Sequence, residues 1–156
     1  GPVAREAVDL VDLVENVVAA HSLPARAKLM HTELTLQARR CLAEPALLIS
    51  VMDNLYSNAV HYGAESGNIR IHSYRHGDQV RIDVANSGEP IPAAEKNMIF
   101  EPFYQGSHQR KGAVKGSGLG LSIARDCVRQ MQGELSLVDA PAGQVCFRIT
   151  LPSAPE

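Results

Sequence analysis

Two runs that alternate apolar and polar residues, Asn68–Tyr74 and Gln79–Ala85, follow one another with only His76-Gly77-Asp78 to join them. Alternation with a period of two marks a strand with one buried face, and so short a connection allows only an antiparallel hairpin. No feature constrains the fold more. A doubly wound sheet, built from strand–helix–strand crossovers alone, has no place for such a pair. Glu134–Asp139 and Val145–Leu151 read as a second, closing hairpin, and Glu33–Ala38 as one further strand.

Helical periodicity fills the gaps. Leu10, Leu13, Val14, Val17 and Val18 recur at helix spacing behind Asp9, a fair N-cap, which predicts a helix over about 9–21 that Pro24 ends. After Pro45 a long helix over 46–62 carries Leu48, Val51, Met52, Leu55, Ala59 and Val60 on one stripe and stops at Gly63. A third, over 117–131, turns Leu121, Ala124, Val128 and Met131 inward, with Gly133 beyond its end. Residues 86–92, Asn-Ser-Gly-Glu-Pro-Ile-Pro, read as a shaped loop outside regular structure, and 93–99 as a short helical turn. The expected fold is α+β: a two-layer sandwich with a mixed sheet of about five strands covered by three helices, forming a single domain over 3–156. Gly1-Pro2 reads as the remnant of a cleaved tag.

Composition removes several function classes. With 45% apolar residues, 21% charged residues and a formal net charge of -2, the whole chain offers no electrostatic case for nucleic acid. No apolar run of about 18 residues exists to span a bilayer. The three cysteines, Cys41, Cys127 and Cys146, are odd in number and form no C-x-x-C pair, which argues against a disulfide framework or a zinc site and for small buried side chains.

Chemistry concentrates in two places. Lys115-Gly-Ser-Gly-Leu-Gly-Leu121 sets Gly116, Gly118 and Gly120 at alternate positions before a helix, where close backbone approach and unpaired N–H groups suit phosphates. A flexible linker is the bland alternative; the run is neither a Rossmann fingerprint nor a Walker A loop. Between Pro102 and Arg125 stand Arg110, Lys111, Lys115 and His108 with no Asp or Glu, and this cationic cluster beside the glycines favours anion binding. The second place is the helix over 46–62, where Asn54 and Asn58 share one face at i, i+4 although asparagine is a mediocre helix former. An amide oxygen is a hard ligand suited to Mg²⁺, yet both amides could equally bond a neighbouring loop. Tyr62 offers an aromatic face, or simply closes the edge of the core.

In order along the chain, Asn54-Leu55…Asn58-Ala59…Tyr62, Asn86-Ser-Gly88, Phe100-Glu-Pro-Phe103 and Gly116-Ser-Gly118-Leu-Gly120-Leu-Ser resemble the N, G1, F and G2 boxes of sensor histidine kinases. These catalytic ATP-binding domains belong to the gyrase–Hsp90–histidine kinase–MutL superfamily, and Phe147–Pro152 looks like their last strand. The resemblance covers almost the whole chain. It implies a Bergerat-type ATP-binding fold, with ATP and Mg²⁺ as cofactors. Asn58 would coordinate the metal, with Asn54 one turn earlier to orient it or a water. Tyr62 would flank the purine, and His61 would stand near the phosphates. Asn86, Gly88 and Ile91 would meet the base. Residues 104–116, with Arg110, Lys111 and Lys115, would form a mobile lid hinged by Phe100 and Phe103. Gly116, Ser117, Gly118, Leu119, Gly120 and Leu121 would then wrap the phosphates.

Three departures from the family's pattern carry consequences. The G1 box usually reads Asp-x-Gly-x-Gly, whereas here it is Asn86-Ser-Gly-Glu-Pro90. Asn keeps a carbonyl acceptor for the adenine amino group without charge assistance, and Pro90 stiffens the loop. Val145 stands where a Thr often supports that contact. The ATP-hydrolysing members place a Glu four residues before the magnesium asparagine; this chain has Asn54, which cannot act as a general base.

The expectation is therefore a protein-histidine kinase catalytic domain that passes the ATP γ-phosphate to a histidine elsewhere. None of the six histidines sits in a setting like the family's His-Glu-Leu-x-x-Pro acceptor. The implied partners are a histidine-bearing dimerisation domain of the same protein and a response-regulator receiver domain, not nucleic acid. A monomeric isolated domain within a homodimeric protein, on the cytoplasmic side of an inner-membrane sensor, completes the expectation. A hydrolase relative and a degenerate, non-binding interaction module on the same fold are the competing readings.

Overall fold

The structure, a computed structural model, describes residues 3–102, 104 and 120–155. The chain opens with a short strand, β1 (Glu6–Asp9), whose last residue caps helix α1 (Leu10–Ala20). The Asp9 carboxylate accepts from the amides of Val11 at 2.9 Å and Asp12 at 3.2 Å, satisfying donors that a helix start leaves unpaired. Leu10, Leu13, Val14 and Val17 are buried, the stripe the spacing predicts. Pro24 does not end this helix. The chain turns at His21, and Pro24 lies in the first turn of a short helix α2 (Ser22–Ala27), where its missing N–H costs nothing.

Strand β2 (His31–Leu36) is followed by β3 (Arg40–Ala43) and the long helix α3 (Pro45–Tyr62). At the start of α3 the Glu44 carboxylate accepts from Leu47 N at 2.7 Å, and Pro45 occupies the first turn. The hairpin is present with longer arms, β4 (Asn68–His76) and β5 (Gln79–Ser87), turning at Gly77, whose φ of 65° suits glycine. A 3-10 turn at Ala93–Glu95, helix α4 (Gly120–Gln130) and the closing strands β6 (Glu134–Val138) and β7 (Gln144–Pro152) follow.

The main sheet has five strands in the order β2-β4-β5-β7-β6. It is mixed: β2 runs parallel to β4, and every other pairing is antiparallel. The parallel pair requires a crossover, and α3 provides it, lying on the sheet as it returns the chain from β2 to β4. The fold is thus α+β with helices on one face, as the hairpins imply. Besides this sheet, β1 and β3 form a separate antiparallel pair, Glu6↔Ala43 to Asp9↔Arg40.

Alternation assigns the two faces of the sheet. Ile69, Ile71, Val80, Ile82, Val84, Phe147, Ile149 and Leu151 are buried with the helices' apolar stripes in one core. The opposite face carries polar side chains, among them Arg148, which grips Asp83 through two nitrogens at 2.8 and 3.1 Å, and Tyr74, which donates to the same carboxylate at 3.1 Å. All three cysteines are free and buried. Burial pushes the Cys41 thiol up to about 12 and, with help from the Asp83 charge, the Cys146 thiol up to about 11; the Cys127 thiol is raised for the same reason.

Candidate nucleotide site

One strand end organises the site. The period-two pattern that buries Val80, Ile82 and Val84 continues to Asn86, which is 8% exposed on the helix-covered face. Asn86 and Ser87 are therefore part of β5 and not of the following loop, a correction to the sequence reading of 86–92. Asn86 pairs with Ile69 on one side and Val145 on the other. Asn86 and Val145, two of the positions that depart from the pattern the sequence resembles, are thus direct cross-strand neighbours. The donor end of the Asn86 amide bonds the Ser87 carbonyl at 3.0 Å.

A cavity of about 290 Å³ opens between this strand end, the last two turns of α3 and the start of α4. Asn58, His61 and Tyr62 reach it from α3, Asn86 and Gly88 from the end of β5, Ile91 from the loop, and Leu121 from α4. Its floor is apolar, made by Leu55, Ala59, Val84, Ile99 and Phe147. Asn58 is half-buried, and among the described residues no hydrogen bond engages its amide. Burial raises the Tyr62 phenol's pKa, so the ring stands neutral at the wall.

Not every expected residue reaches the cavity. Asn54 does not line it: its amide packs against Gly120, where an added Cβ would stand 2.7 Å from Nδ2. One amide of the pair thus faces the cavity while the other seats the first turn of α4. Phe100 is buried in edge contact with the floor residue Phe147, ring centroids 6.1 Å apart, and the Arg125 guanidinium lies 4.6 Å above it. Phe103, Arg110, Lys111, Lys115, Gly116, Ser117, Gly118 and Leu119, with all of the expected lid except Tyr104, lie outside the described residues.

Sequence reasoning missed two contributors. Glu89 stands on the cavity's rim, exposed in the loop after β5. Lys28, at the end of α2, sends its ammonium to the carbonyls of Val60 at 2.8 Å, His61 at 2.9 Å and Gly63 at 2.7 Å. These oxygens end α3 without helical partners, because Gly63 leaves the helix with extended backbone (φ -69°, ψ 160°). Burial lowers the pKa of Lys28, and the Glu65 charge opposes that shift. No sequence signal marks such a residue, since its partners are main-chain atoms.

The family model described as "Histidine kinase-, DNA gyrase B-, and HSP90-like ATPase" matches residues 43–155. The sensor histidine kinase GlrK of Escherichia coli (strain K12) is 71% identical over 152 residues, a match covering 97% of this chain and 32% of GlrK. Sensor histidine kinase QseE of Escherichia coli O157:H7 is 72% identical, covering 94% of this chain and 31% of QseE. The chain therefore spans about a third of the length of these relatives. Among solved structures, the nucleotide-free catalytic domain of histidine kinase ThkA superposes with a TM-score of 0.84 at 28% identity, covering 98% of this chain and all of that one. ThkA in complex with response regulator protein TrrA superposes with a TM-score of 0.78 at 27% identity, covering 97% of this chain and 42% of that one.

Proposed function

Because the chain belongs to the histidine kinase-, DNA gyrase B- and HSP90-like ATPase family, we propose that its cavity binds ATP and that the domain passes the γ-phosphate to a histidine on a separate dimerisation domain. The observation that carries this reading is the meeting of three distant segments around one cavity: Asn58 and Tyr62, Asn86 and Gly88, and Leu121. Bound ATP with Mg²⁺ supplies the phosphoryl group and part of the charge compensation. The protein's task is to bind, orient and exclude water.

In this reading the apolar floor and the Tyr62 ring take the purine. Asn58 fits a magnesium ion by donor chemistry: it is a hard amide oxygen at the cavity, beside space for phosphate oxygens and waters. His61 and the basic segment 104–116, with Gly116, Ser117, Gly118 and Leu119, serve the phosphates on sequence grounds. That segment is proposed to act as a lid.

Base selection falls to Asn86. Its NH₂ is held by the Ser87 carbonyl, which leaves the carbonyl oxygen for the cavity. That oxygen suits the adenine amino group and opposes the carbonyl that guanine presents there. Asn86→Asp gains a charge-assisted acceptor but gives up the bond to the Ser87 carbonyl, so the expected result is a wider preference for ATP over GTP rather than a simple gain in ATP affinity. Calorimetric titration with both nucleotides checks this; unchanged affinities would show that residue 86 does not read the base.

Asn54 argues for transfer over hydrolysis. It lies against Gly120 and, as an amide, cannot take a proton from water. The isolated domain is expected to hydrolyse ATP very slowly, and radiolabel is expected to move from ATP to protein only when a histidine-bearing dimerisation domain is added. Rapid turnover by this domain alone would favour a hydrolase instead. The complex of ThkA with its response regulator supports a receiver domain as the next acceptor. Among the described residues no helix is long and apolar enough to cross a membrane. We place this domain on the cytoplasmic side of a homodimeric inner-membrane sensor, monomeric when isolated and with no nucleic-acid partner.

A further inference from the structure

From the contacts of Lys28 we infer that this residue, which lies outside the cavity, is a positioning residue for the nucleotide: it holds the end of α3 so that the base-binding wall stays assembled. The inference rests on the nucleotide reading above. The wall consists of residues 60–64 and the end of β5, which meet at several points. Ala64 N donates to the Ser87 carbonyl at 2.9 Å, and Gly88 sits so close that an added Cβ would stand 3.2 Å from the Tyr62 carbonyl. Neither link is a hydrogen bond to α3 itself. Its final carbonyls point away from any helical partner, and all three ammonium protons of Lys28 are used on them.

The same residue anchors the next turn through its main chain, since its carbonyl accepts from Ser66 N at 2.8 Å. Lys28 therefore ties the α2–β2 connection to both sides of the bend that follows Tyr62. The exit of the chain from Lys28 is itself specialised: Leu29 adopts a left-handed φ of 56° while its side chain stays 73% exposed. A cation at the C-terminal end of a helix is also the sign of charge that the helix dipole favours. Without it, Val60, His61 and Gly63 would expose their carbonyls to water, and the Tyr62 wall would sample positions unable to bind.

The test compares Lys28→Gln and Lys28→Arg with the unaltered protein, titrated with Mg²⁺-ATP and with metal-free ADP. If the competent wall is occupied about a tenth of the time in Lys28→Gln, affinity falls about tenfold for both nucleotides, and Lys28→Arg recovers most of it. Equal loss for the two is the signature of an effect on the base end and not on the metal. Amide exchange of Gly63 and Ala64 should accelerate in Lys28→Gln at temperatures where the fold is intact. Val8→Ala, in the β1–β3 pair at the other end of α3, serves as the control for general destabilisation and should leave both affinities unchanged. Lys28→Gln binding as tightly as the unaltered protein, or Val8→Ala losing as much affinity at a matched fall in melting temperature, overturns the inference. Failure of the unaltered protein to bind either nucleotide would instead overturn the nucleotide reading itself.

Discussion

Asn58→Ala is expected to lower affinity for Mg²⁺-ATP by about 100-fold while leaving metal-free ADP within about twofold, because it deletes a metal ligand and little else. The geometry makes the substitution clean. Asn58 is half-buried at the cavity with no hydrogen bond to another described residue, so its removal orphans no protein partner. Alanine is also the better helix former, which keeps α3 intact. The expectation differs for Asn54, whose amide supports Gly120: there the loss should reach nucleotide binding through the seating of α4, with or without metal. Calorimetry with and without Mg²⁺ separates the two positions. Equal metal dependence in Asn58→Ala and the unaltered protein would remove Asn58 from the metal site.

The largest expected effect on stability lies far from the cavity. Gly133→Ala should cost about 3 kcal/mol and lower the melting temperature by roughly 10 °C. A Cβ at this position would run into the Thr150 carbonyl and stand 2.8 Å from Leu151 Cδ2 and 3.0 Å from Val128 Cγ1. The carbonyl belongs to a central pairing, with Thr150 set between Arg81 and Glu134, so the backbone has no room to yield. Glycine is needed here for close approach. The left-handed residue at the end of α4 is the preceding Gln132, with φ 67°. A thermal melt decides the matter: an unchanged midpoint would mean that the α4–β6 turn relaxes freely.

Long periodic segments were legible in the sequence, and short or non-local ones were not. The stripe of α1, the Asp9 cap and both hairpins follow from local pattern alone, since each signal lies within a few residues of its consequence. Strands β1 and β3 escaped because four residues cannot establish a period, and their pairing joins segments more than thirty positions apart. Pro24 suits the end of one helix or the start of another, and only the turn of the chain at His21 decides between them. Polar Asn-Ser-Gly resembles turn chemistry and so suggests a loop at Asn86, whereas pairing to Ile69 and Val145 keeps it in the sheet. For the site itself, motif residues with side-chain chemistry could be named from sequence. The division of labour between Asn58 and Asn54 required the position of Gly120.

The burial of every thiol makes the molecule easy to instrument. At neutral pH a thiol raised to about 11 is ionised in only about one copy in ten thousand, and maleimides need the thiolate. Cys41 is sealed from solvent altogether, and Cys146 and Cys127 sit just inside the surface. A cysteine substituted for exposed Glu89 would then be the dominant reactive group in the domain. A fluorophore attached there would stand at the rim of the cavity, reporting ligand arrival in a protein that has no tryptophan of its own to do so.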